Sequence, residues 1–135
     1  MELKNWETVS LFLMYNSDRF FTYVTYVKKL GVYLDKSLSM EQHIAAVSKS
    51  CFNQIRNIGR IRSYITDSAC KTLVCSLITS RLDYGNALLY DVNASALAKL
   101  QRVQNTAARL IARRKKYNHI TPVLIELHWL PVKFY

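Results

Sequence analysis

The sequence predicts a mainly α-helical fold: a small helical bundle of three longer helices and a short fourth, preceded by a short β-hairpin or other β element. From residue 39 onward, apolar residues recur at spacings of three and four, the period of a buried helix face. Residues 23–34 are instead rich in β-branched and aromatic side chains, which favour strands. The chain has 135 residues, 50% of them hydrophobic, which is enough for one modest core. We therefore divide it into residues 1–22, a β element over 23–38 and a helical bundle over 39–135.

The β element contains two β-rich runs, residues 23–27 and 30–34, interrupted by Lys28 and Lys29. A glycine inside a strand often marks a bulge, and Gly31 has that position in the second run. A hairpin and a strand with a bulge near Gly31 both fit this pattern.

The first helix is expected to follow Ser39, because Ser39 and Gln42 have the spacing of a capping box, in which side chains satisfy free amide groups at a helix start. Gly59 is expected to end the helix, since glycine is common just beyond a helix C-terminus. The apolar stripe between these limits consists of Met40, Ile44, Val47, Cys51, Ile55 and Ile58.

The second helix is expected to begin near Thr66 or Asp67, since either residue is a competent N-cap. Its apolar face is broad, which predicts that it is the most buried helix of the set. This face is formed by Cys70, Leu73, Val74, Leu77, Ile78 and Leu82.

Asn93 or Ser95 is expected to cap the third helix. Its inward side chains are predicted to be Leu97, Leu100, Val103, Ala107, Leu110 and Ile111. The short fourth helix is predicted to have Thr121 as its cap and Pro122 at its first position, where the missing N–H costs nothing, and to end before Pro131.

The charge distribution favours a polyanionic partner, either nucleic acid or an anionic membrane surface. The formal net charge is +10 and the isoelectric point is about 9.7. Residues 1–26 carry a net charge of −1, so residues 27–135 hold a surplus of +11. The basic character therefore belongs to the predicted bundle.

Cysteine usage and hydropathy favour an intracellular protein that is neither inserted into a membrane nor exported. Three cysteines without a C-x-x-C pair argue against a disulfide framework and a zinc site. No apolar run approaches the length of a membrane span, and the first residues include acids where a signal peptide has a basic start. Nucleus and cytoplasm are not distinguished.

No residue pattern points to catalysis. The nine acids are never adjacent, and the three histidines have no ligand spacing with one another or with the cysteines. Phosphate-binding loops and the hydrolase nucleophile elbow are not found in the sequence. The sequence therefore predicts no catalytic residue, no metal ligand and no cofactor, and we interpret the histidines and cysteines as packing or surface residues.

The basic residues allow two interpretations. Cations near a helix C-terminus interact favourably with its dipole and improve solubility, whereas the same cations can contact phosphates without reading sequence. The combined surplus on residues 49–62 and 99–116 favours the second interpretation. The candidate nucleic-acid-binding residues are Lys99, Arg102, Arg109, Arg113, Arg114, Lys115 and Lys116. Tyr64, Tyr84 and Trp129 can stack on bases, although such aromatics are more often core or rim residues.

Five segments in order resemble the C-terminal part of reverse transcriptases, the RNA-directed DNA polymerases, of non-LTR (LINE-type, jockey-like) retrotransposons. The resemblance covers about residues 24–133. The segments are "YVKKLGVYLDKSLSMEQHI", "IRNIGRIRSYI", "LITSRLDYGNALLY", "LQRVQNTAARLI" and "HITPVLIELHWLPV".

This resemblance implies that residues 23–38 form a primer grip and residues 39–135 a thumb, preceded by a divergent segment over residues 1–22. The thumb holds the template–primer duplex, so the implied partner is an RNA–DNA or other nucleic-acid duplex contacted through its backbone. The residues that match the primer grip are Leu30, Gly31, Val32, Leu34 and Asp35.

The chain departs from the family where catalysis is concerned. The family's palm aspartates bind two Mg²⁺ ions and include a Tyr-x-Asp-Asp box, and this sequence has no Asp-Asp pair. We therefore expect the fingers and palm to lie N-terminal to a truncated copy, which binds a duplex without extending it. Two alternatives are a helical protein-interaction module and a retrotransposon remnant without function. The oligomeric state is not predicted.

Overall fold

The computed structural model describes residues 26–29, 32–35, 39–84, 89–90 and 92–132. It is mainly helical, as predicted, with three longer helices and a short fourth after a β-hairpin. The elements are β1 (Tyr26–Lys29), β2 (Val32–Asp35), α1 (Glu41–Ile61), the segmented helix α2 (Asp67–Val74, Cys75–Thr79 and Ser80–Asp83), α3 (Ala94–Ala112) and α4 (Thr121–Glu126).

The two strands pair antiparallel, with Tyr26 opposite Asp35 and Lys29 opposite Val32. The structure therefore contains a hairpin, one of the two alternatives, and its strands overlap the two β-rich runs; the predicted interruption at Lys28 and Lys29 was wrong, because both lie inside β1. Both strands of a two-stranded sheet are edges, where lysines are well tolerated. Since an isolated hairpin is marginal in water, its stability here depends on β2 packing against the bundle.

Helix α1 begins at Glu41, and the predicted capping box was wrong. Its N-cap is Met40, which is buried in the core and adopts a left-handed backbone conformation with φ 60°. The Ser39 hydroxyl accepts a hydrogen bond from the Glu41 amide at 3.4 Å, and Ser39 is not the N-cap. The helix therefore starts where the Met40 side chain enters the core.

The prediction that Gly59 ends α1 was also wrong, because the helix continues to Ile61 and then tightens into a 3₁₀ turn, Arg62–Tyr64. The Arg62 amide donates to the Gly59 carbonyl, so the helical hydrogen bonding passes through the glycine. Gly59 faces α3: a Cβ placed on it would lie 3.9 Å from Leu110 Cδ1.

We predict that Gly59→Ala increases the free energy of unfolding by about 0.5–1 kcal/mol. Glycine inside a helix has a large entropic cost, and 3.9 Å is an ordinary van der Waals distance for the new methyl group. Urea denaturation of the two proteins measures the change. Gly59→Val is a useful control, because its branched side chain is larger and should lose the gain; a destabilised Gly59→Ala protein would contradict the packing of α1 against α3.

Helix α2 begins after Thr66, whose hydroxyl accepts a hydrogen bond from the Ala69 amide at 3.1 Å. Thr66 is one of the two N-caps that the sequence predicted. Its buried residues Cys70, Val74, Ile78 and Leu82 are spaced by four. Four residues overshoot one α-helical turn, and the wider π turn over Cys75–Thr79 compensates for this drift. The π turn therefore keeps the four side chains on one line.

Helix α3 is the central helix, and the prediction that α2 is the most buried was wrong. Seven side chains of α3 are buried, against four of α2. Its packing explains the difference, because α3 contacts α1, α2 and α4. Asn93 caps it by accepting from the Ala96 amide at 2.8 Å, as one of the two predicted caps.

Helices α1 and α3 run parallel and pack against each other, and α2 runs in the opposite direction and packs against both. At the N-terminal ends, Asn93 Nδ2 donates to a Glu41 carboxylate oxygen at 3.5 Å. At the C-terminal ends, Gly59 lies beside Leu110, and the Arg62 side chain bonds to the Leu110 carbonyl. These contacts at both ends of the helices show that they run in the same direction.

The short helix α4 packs on α3 through a separate cluster of Ala108, Val123 and Leu124. Its N-cap is Ile120, so the helix begins one residue earlier than predicted. Thr121 is its first residue and Pro122 its second. The helix ends at Glu126, before Pro131 as expected.

Two glutamines of α3 hold the segment that follows α4. The Gln104 side chain is 2% exposed, and its Nε2 donates to the Leu130 carbonyl at 2.8 Å. Gln101 Oε1 accepts from the Val132 amide at 2.8 Å, and Gln101 Nε2 donates to Gln104 Oε1. The pair satisfies both a carbonyl and an amide of this segment, which fixes its course over α3.

Candidate nucleic-acid interface

One row of polar and basic side chains runs along the outer side of α1. Lys49, Asn53, Arg56 and Arg60 are exposed and follow one another at spacings of four, three and four, which places them on one side of the helix. At 1.5 Å per residue the row is about 16 Å long. We call these four residues the α1 row. No acid follows Glu41 in α1.

A second row runs along α3 and contains Lys99, Arg102, Thr106 and Arg109 at spacings of three, four and three. We call it the α3 row. Lys99 and Arg102 are exposed, and α3 contains no acid. The Thr106 hydroxyl donates to the Arg102 main-chain carbonyl at 2.8 Å.

The two rows lie on the same side of the bundle. Gly59 and Leu110 meet where α1 packs against α3. Helical geometry places Arg56 and Arg60 next to Gly59, on the side of α1 that faces away from the core. It places Thr106 and Arg102 next to Leu110, on the side of α3 that also faces away from the core. Because the helices are parallel, the rows flank one seam. We call both rows together the α1/α3 face.

The acidic residue of these two helices, Glu41, lies at the N-terminal end of the seam, where Asn93 donates to it. Beyond it the α1 side carries Lys49, Arg56 and Arg60, and the α3 side carries Lys99 and Arg102 as its exposed cations within the row. A surface of one charge sign with low-dielectric protein beneath it concentrates counter-ions and attracts a polyanion.

Arg109 is less available than the sequence predicts. Its side chain is half-buried, its Nη2 donates to the Asn118 carbonyl at 3.4 Å, and its buried Nε has no hydrogen-bond partner. The residue therefore supports the loop after α3, and we assign the exposed charge of the α3 row to Lys99 and Arg102.

The four consecutive cations predicted as phosphate contacts form an exposed turn after α3. Arg113 ends the helix in a left-handed conformation with φ 52°, and the Arg114 amide donates to the Arg109 carbonyl at 3.0 Å. This arrangement is a common helix C-terminus. Arg113, Arg114, Lys115 and Lys116 are all exposed. With Tyr117 they form what we call the basic turn, residues 113–117.

The structure gives Arg62, which the sequence places in the basic surplus of residues 49–62, a role that sequence reasoning missed. Arg62 is buried, and its guanidinium donates to the carbonyls of Leu110 and Ile111, each at 2.9 Å, and to Ile65 at 3.3 Å. It thereby caps the last carbonyls of α3. The available signal was its position four residues after Ile58, on the buried stripe of α1. Arg62 is therefore not exposed to a phosphate.

Asp67 joins Arg62 to the basic turn. Arg62 Nη2 donates to Asp67 Oδ1 at 2.6 Å, and Arg113 Nε lies 3.4 Å from the same oxygen. The hydrogen bond from Arg62 lowers the pKa of Asp67, and attraction to both arginines adds to this effect. The carboxylate stays charged at neutral pH and neutralises part of the charge of Arg113.

The primer-grip positions serve mainly as packing residues where they are described. Val32 is buried in the main core, and Leu34 packs against it. The Asp35 backbone pairs with Tyr26. Leu30 and Gly31 lie outside the described residues. Contacts of Val32 or Leu34 with a nucleic acid would therefore have to involve the backbone.

His43 and the cysteines lie where packing residues are expected, and the other two histidines lie on the surface. Burial lowers the pKa of His43, which stays neutral at pH 7, and raises the pKa values of the Cys51 and Cys70 thiols. Such thiols are poor nucleophiles. His119 and His128 are exposed. In the part of the chain that the structure describes, no three His, Cys, Asp or Glu residues gather as a metal site.

The three aromatic residues proposed for base stacking differ in position. Tyr64 is 87% exposed, and Tyr84 is also exposed. Trp129 is half-buried and packs against the two hydrophobic clusters. Tyr64 is thus the one whose ring is most open to solvent.

Within the described ranges, no helix combines the length and the apolar character that crossing a bilayer requires. In comparisons with known proteins, no family model, no curated protein and no solved structure matches the chain.

Proposed function

We propose that the α1/α3 face binds the sugar–phosphate backbone of a nucleic-acid duplex, in the manner of a reverse-transcriptase thumb, and that the chain is the primer-grip and thumb portion of a non-LTR retrotransposon polymerase. The single observation that carries the duplex-binding proposal is the pair of parallel helices with exposed cations on both sides of one seam. The five segments that resemble the family support the assignment to a polymerase thumb.

The dimensions of the face fit a duplex. Packed helix axes lie about 8–10 Å apart, so the α1 row and the α3 row form two roughly parallel lines of charge with a similar or larger separation. A duplex presents two lines of phosphates along its groove edges. The α1 row of about 16 Å can therefore follow one strand over several nucleotides, while Lys99 and Arg102, about 4.5 Å apart along the axis of α3, contact one or two phosphates of the other strand.

The side chains of the face suit backbone contact without sequence readout. Lys and Arg on a convex helical surface reach phosphates, whereas base recognition requires groups that enter a groove. We therefore expect weak, sequence-independent binding, with a dissociation constant of about 10⁻⁴ to 10⁻⁶ M at physiological salt. Without the palm aspartates, this chain is not expected to extend a primer.

The test is fluorescence anisotropy of a labelled RNA–DNA duplex titrated with the protein over a series of salt concentrations. We predict that Lys99→Ala with Arg102→Ala weakens binding about tenfold at low salt and reduces the slope of log K against log[salt] by about 2, because two phosphate contacts are lost. Lys71→Ala on α2, an exposed cation outside the face, is the control and should bind almost as the wild type does.

An unchanged salt slope in the Lys99 and Arg102 variant would contradict the proposal, as would an equal loss in the Lys71 variant. No binding of the wild type at low salt would mean that the charge is solvated surface.

A protein-interaction module is the second candidate, and one observation favours it: Ile125 and Leu130 are large apolar residues exposed near α4. Apolar docking predicts binding with little salt dependence. A partner that binds through these two residues, combined with no affinity for a duplex, would favour this function.

A further inference from the structure

Two exposed tyrosines lie at the same end of the bundle. Tyr64 belongs to the turn after α1, and Tyr117 closes the basic turn after α3. The bonds from Arg62 to the carbonyls of Leu110 and Ile111 hold these turns together, as does the approach of Arg113 to Asp67. Both tyrosines therefore lie where α1 and α3 end.

The rings of these tyrosines are not used to build the core. Tyr64 is 87% exposed and Tyr117 is 79% exposed. An aromatic ring left in water forgoes a large amount of apolar burial. Each ring thus offers an open face that a planar group can cover.

Basic side chains lie near the rings of Tyr64 and Tyr117. Lys115 Nζ lies 5.9 Å from the centroid of the Tyr117 ring, and Arg113, Arg114 and Lys116 are exposed in the same turn. On the α1 side, Arg60 precedes Tyr64 by one helical turn and is exposed. Positive charge beside aromatic faces is the combination that single-stranded nucleic acids require, since the phosphates meet the cations and the bases stack on the rings.

We propose that Tyr64 and the basic turn form a second site, which binds unpaired nucleotides of a single strand by stacking and phosphate contact. Single strands are favoured over duplex here because the base faces of a duplex are covered by neighbouring base pairs, whereas unpaired bases leave them open.

The position of this site refines the substrate class. Arg60 belongs to the α1 row and lies at its C-terminal end, beside the turn that carries Tyr64. The site is thus continuous with the α1/α3 face. This part of the inference rests on the proposed function. A duplex bound along the α1/α3 face would extend past the C-terminal ends of α1 and α3, so the preferred ligand is a duplex with a single-stranded extension.

The experiment compares the affinity for a blunt RNA–DNA duplex, the same duplex with an extension of about six nucleotides, and the isolated single strand. We expect the extension to increase the affinity about fivefold or more, and Tyr64→Ala with Tyr117→Ala to abolish that gain. The double variant should leave the affinity for the blunt duplex unchanged within about twofold. It should also leave the salt slope unchanged, because stacking releases no counterions.

Matched controls separate stacking from folding and from tyrosine removal in general. Tyr64→Phe with Tyr117→Phe keeps both rings and should retain the preference for the extension. Tyr90→Ala removes a tyrosine that is 98% exposed, just before α3 and therefore at the opposite end of that helix, and should bind like the wild type.

The outcomes distinguish the two proposals. Equal affinity for the blunt and extended duplexes, or a preference that survives the Tyr64 and Tyr117 alanine variant, overturns the second site while the α1/α3 face stands. Binding of single strands alone, lost in the tyrosine variant, supports the second site and overturns the duplex proposal. No binding of any of the three ligands overturns both.

Discussion

Replacement of Arg62 by alanine is expected to lower the free energy of unfolding by about 3 kcal/mol or more. The guanidinium is buried and donates to two carbonyls at the end of α3, and both carbonyls lose this donor in the variant. Hydrogen bonds from charged groups contribute about 1.5–3 kcal/mol each. The loss would be a large fraction of the total stability of a small domain.

Urea denaturation followed by circular dichroism measures this change. Arg62→Lys keeps the charge but lacks the planar fork, so it should recover less than half of the loss. Arg60→Ala removes an exposed arginine only two residues away and is expected to change stability by about 0.5 kcal/mol at most. If Arg62→Ala and Arg60→Ala were equally stable, the capping of α3 by Arg62 would be disproved.

Removal of both rows of charge is expected to have the largest effect on binding. We predict that alanine at Lys49, Arg56, Lys99 and Arg102 weakens duplex binding on the order of 100-fold at low salt, and that the α1 and α3 pairs each contribute about half of the lost free energy. Both contributions are required because the two rows flank one seam. All four residues are exposed, so the variant should fold normally.

A control with the same change in net charge tests whether position matters. Glutamate at Lys71, Thr72 and Ser76 of α2 also lowers the net charge by four units, at exposed positions outside the α1/α3 face. Net attraction alone would weaken binding equally in both proteins. We expect the α2 variant to lose much less than the four-site variant, and an equal loss would show that the α1/α3 face is not a site.

Periodicity was sufficient for the helices because each one buries a stripe along its own length. The apolar stripe residues of α1, between Met40 and Ile58, face the core as predicted. The same holds for those of α3, between Leu97 and Ile111. Thr66 and Asn93 were correct as caps because their side chains bond within their own first turn. Such local interactions are encoded by residues three and four apart.

The helix ends that were predicted wrongly depend on distant contacts. Met40, the cap of α1, places its side chain in the core, and Gly59 is helical where α1 lies beside Leu110 of α3. Neither contact can be derived from spacing. The role of Arg62 has the same origin, since its carbonyl partners at Leu110 and Ile111 are 48 and 49 residues away.

The residues of the candidate site also fall into those that the sequence predicted and those that only the tertiary contacts revealed. Composition and the basic stretches already identified Lys99, Arg102 and the cations of the basic turn as exposed charge that favours a polyanion. The packing of α1 beside α3 was needed to add Lys49, Arg56 and Arg60 to one face, to assign Arg62 to the interior and to show that Arg109 supports a loop. Local periodicity determines which side of each helix is polar, whereas the contact between two parallel helices determines that their basic sides form a single surface.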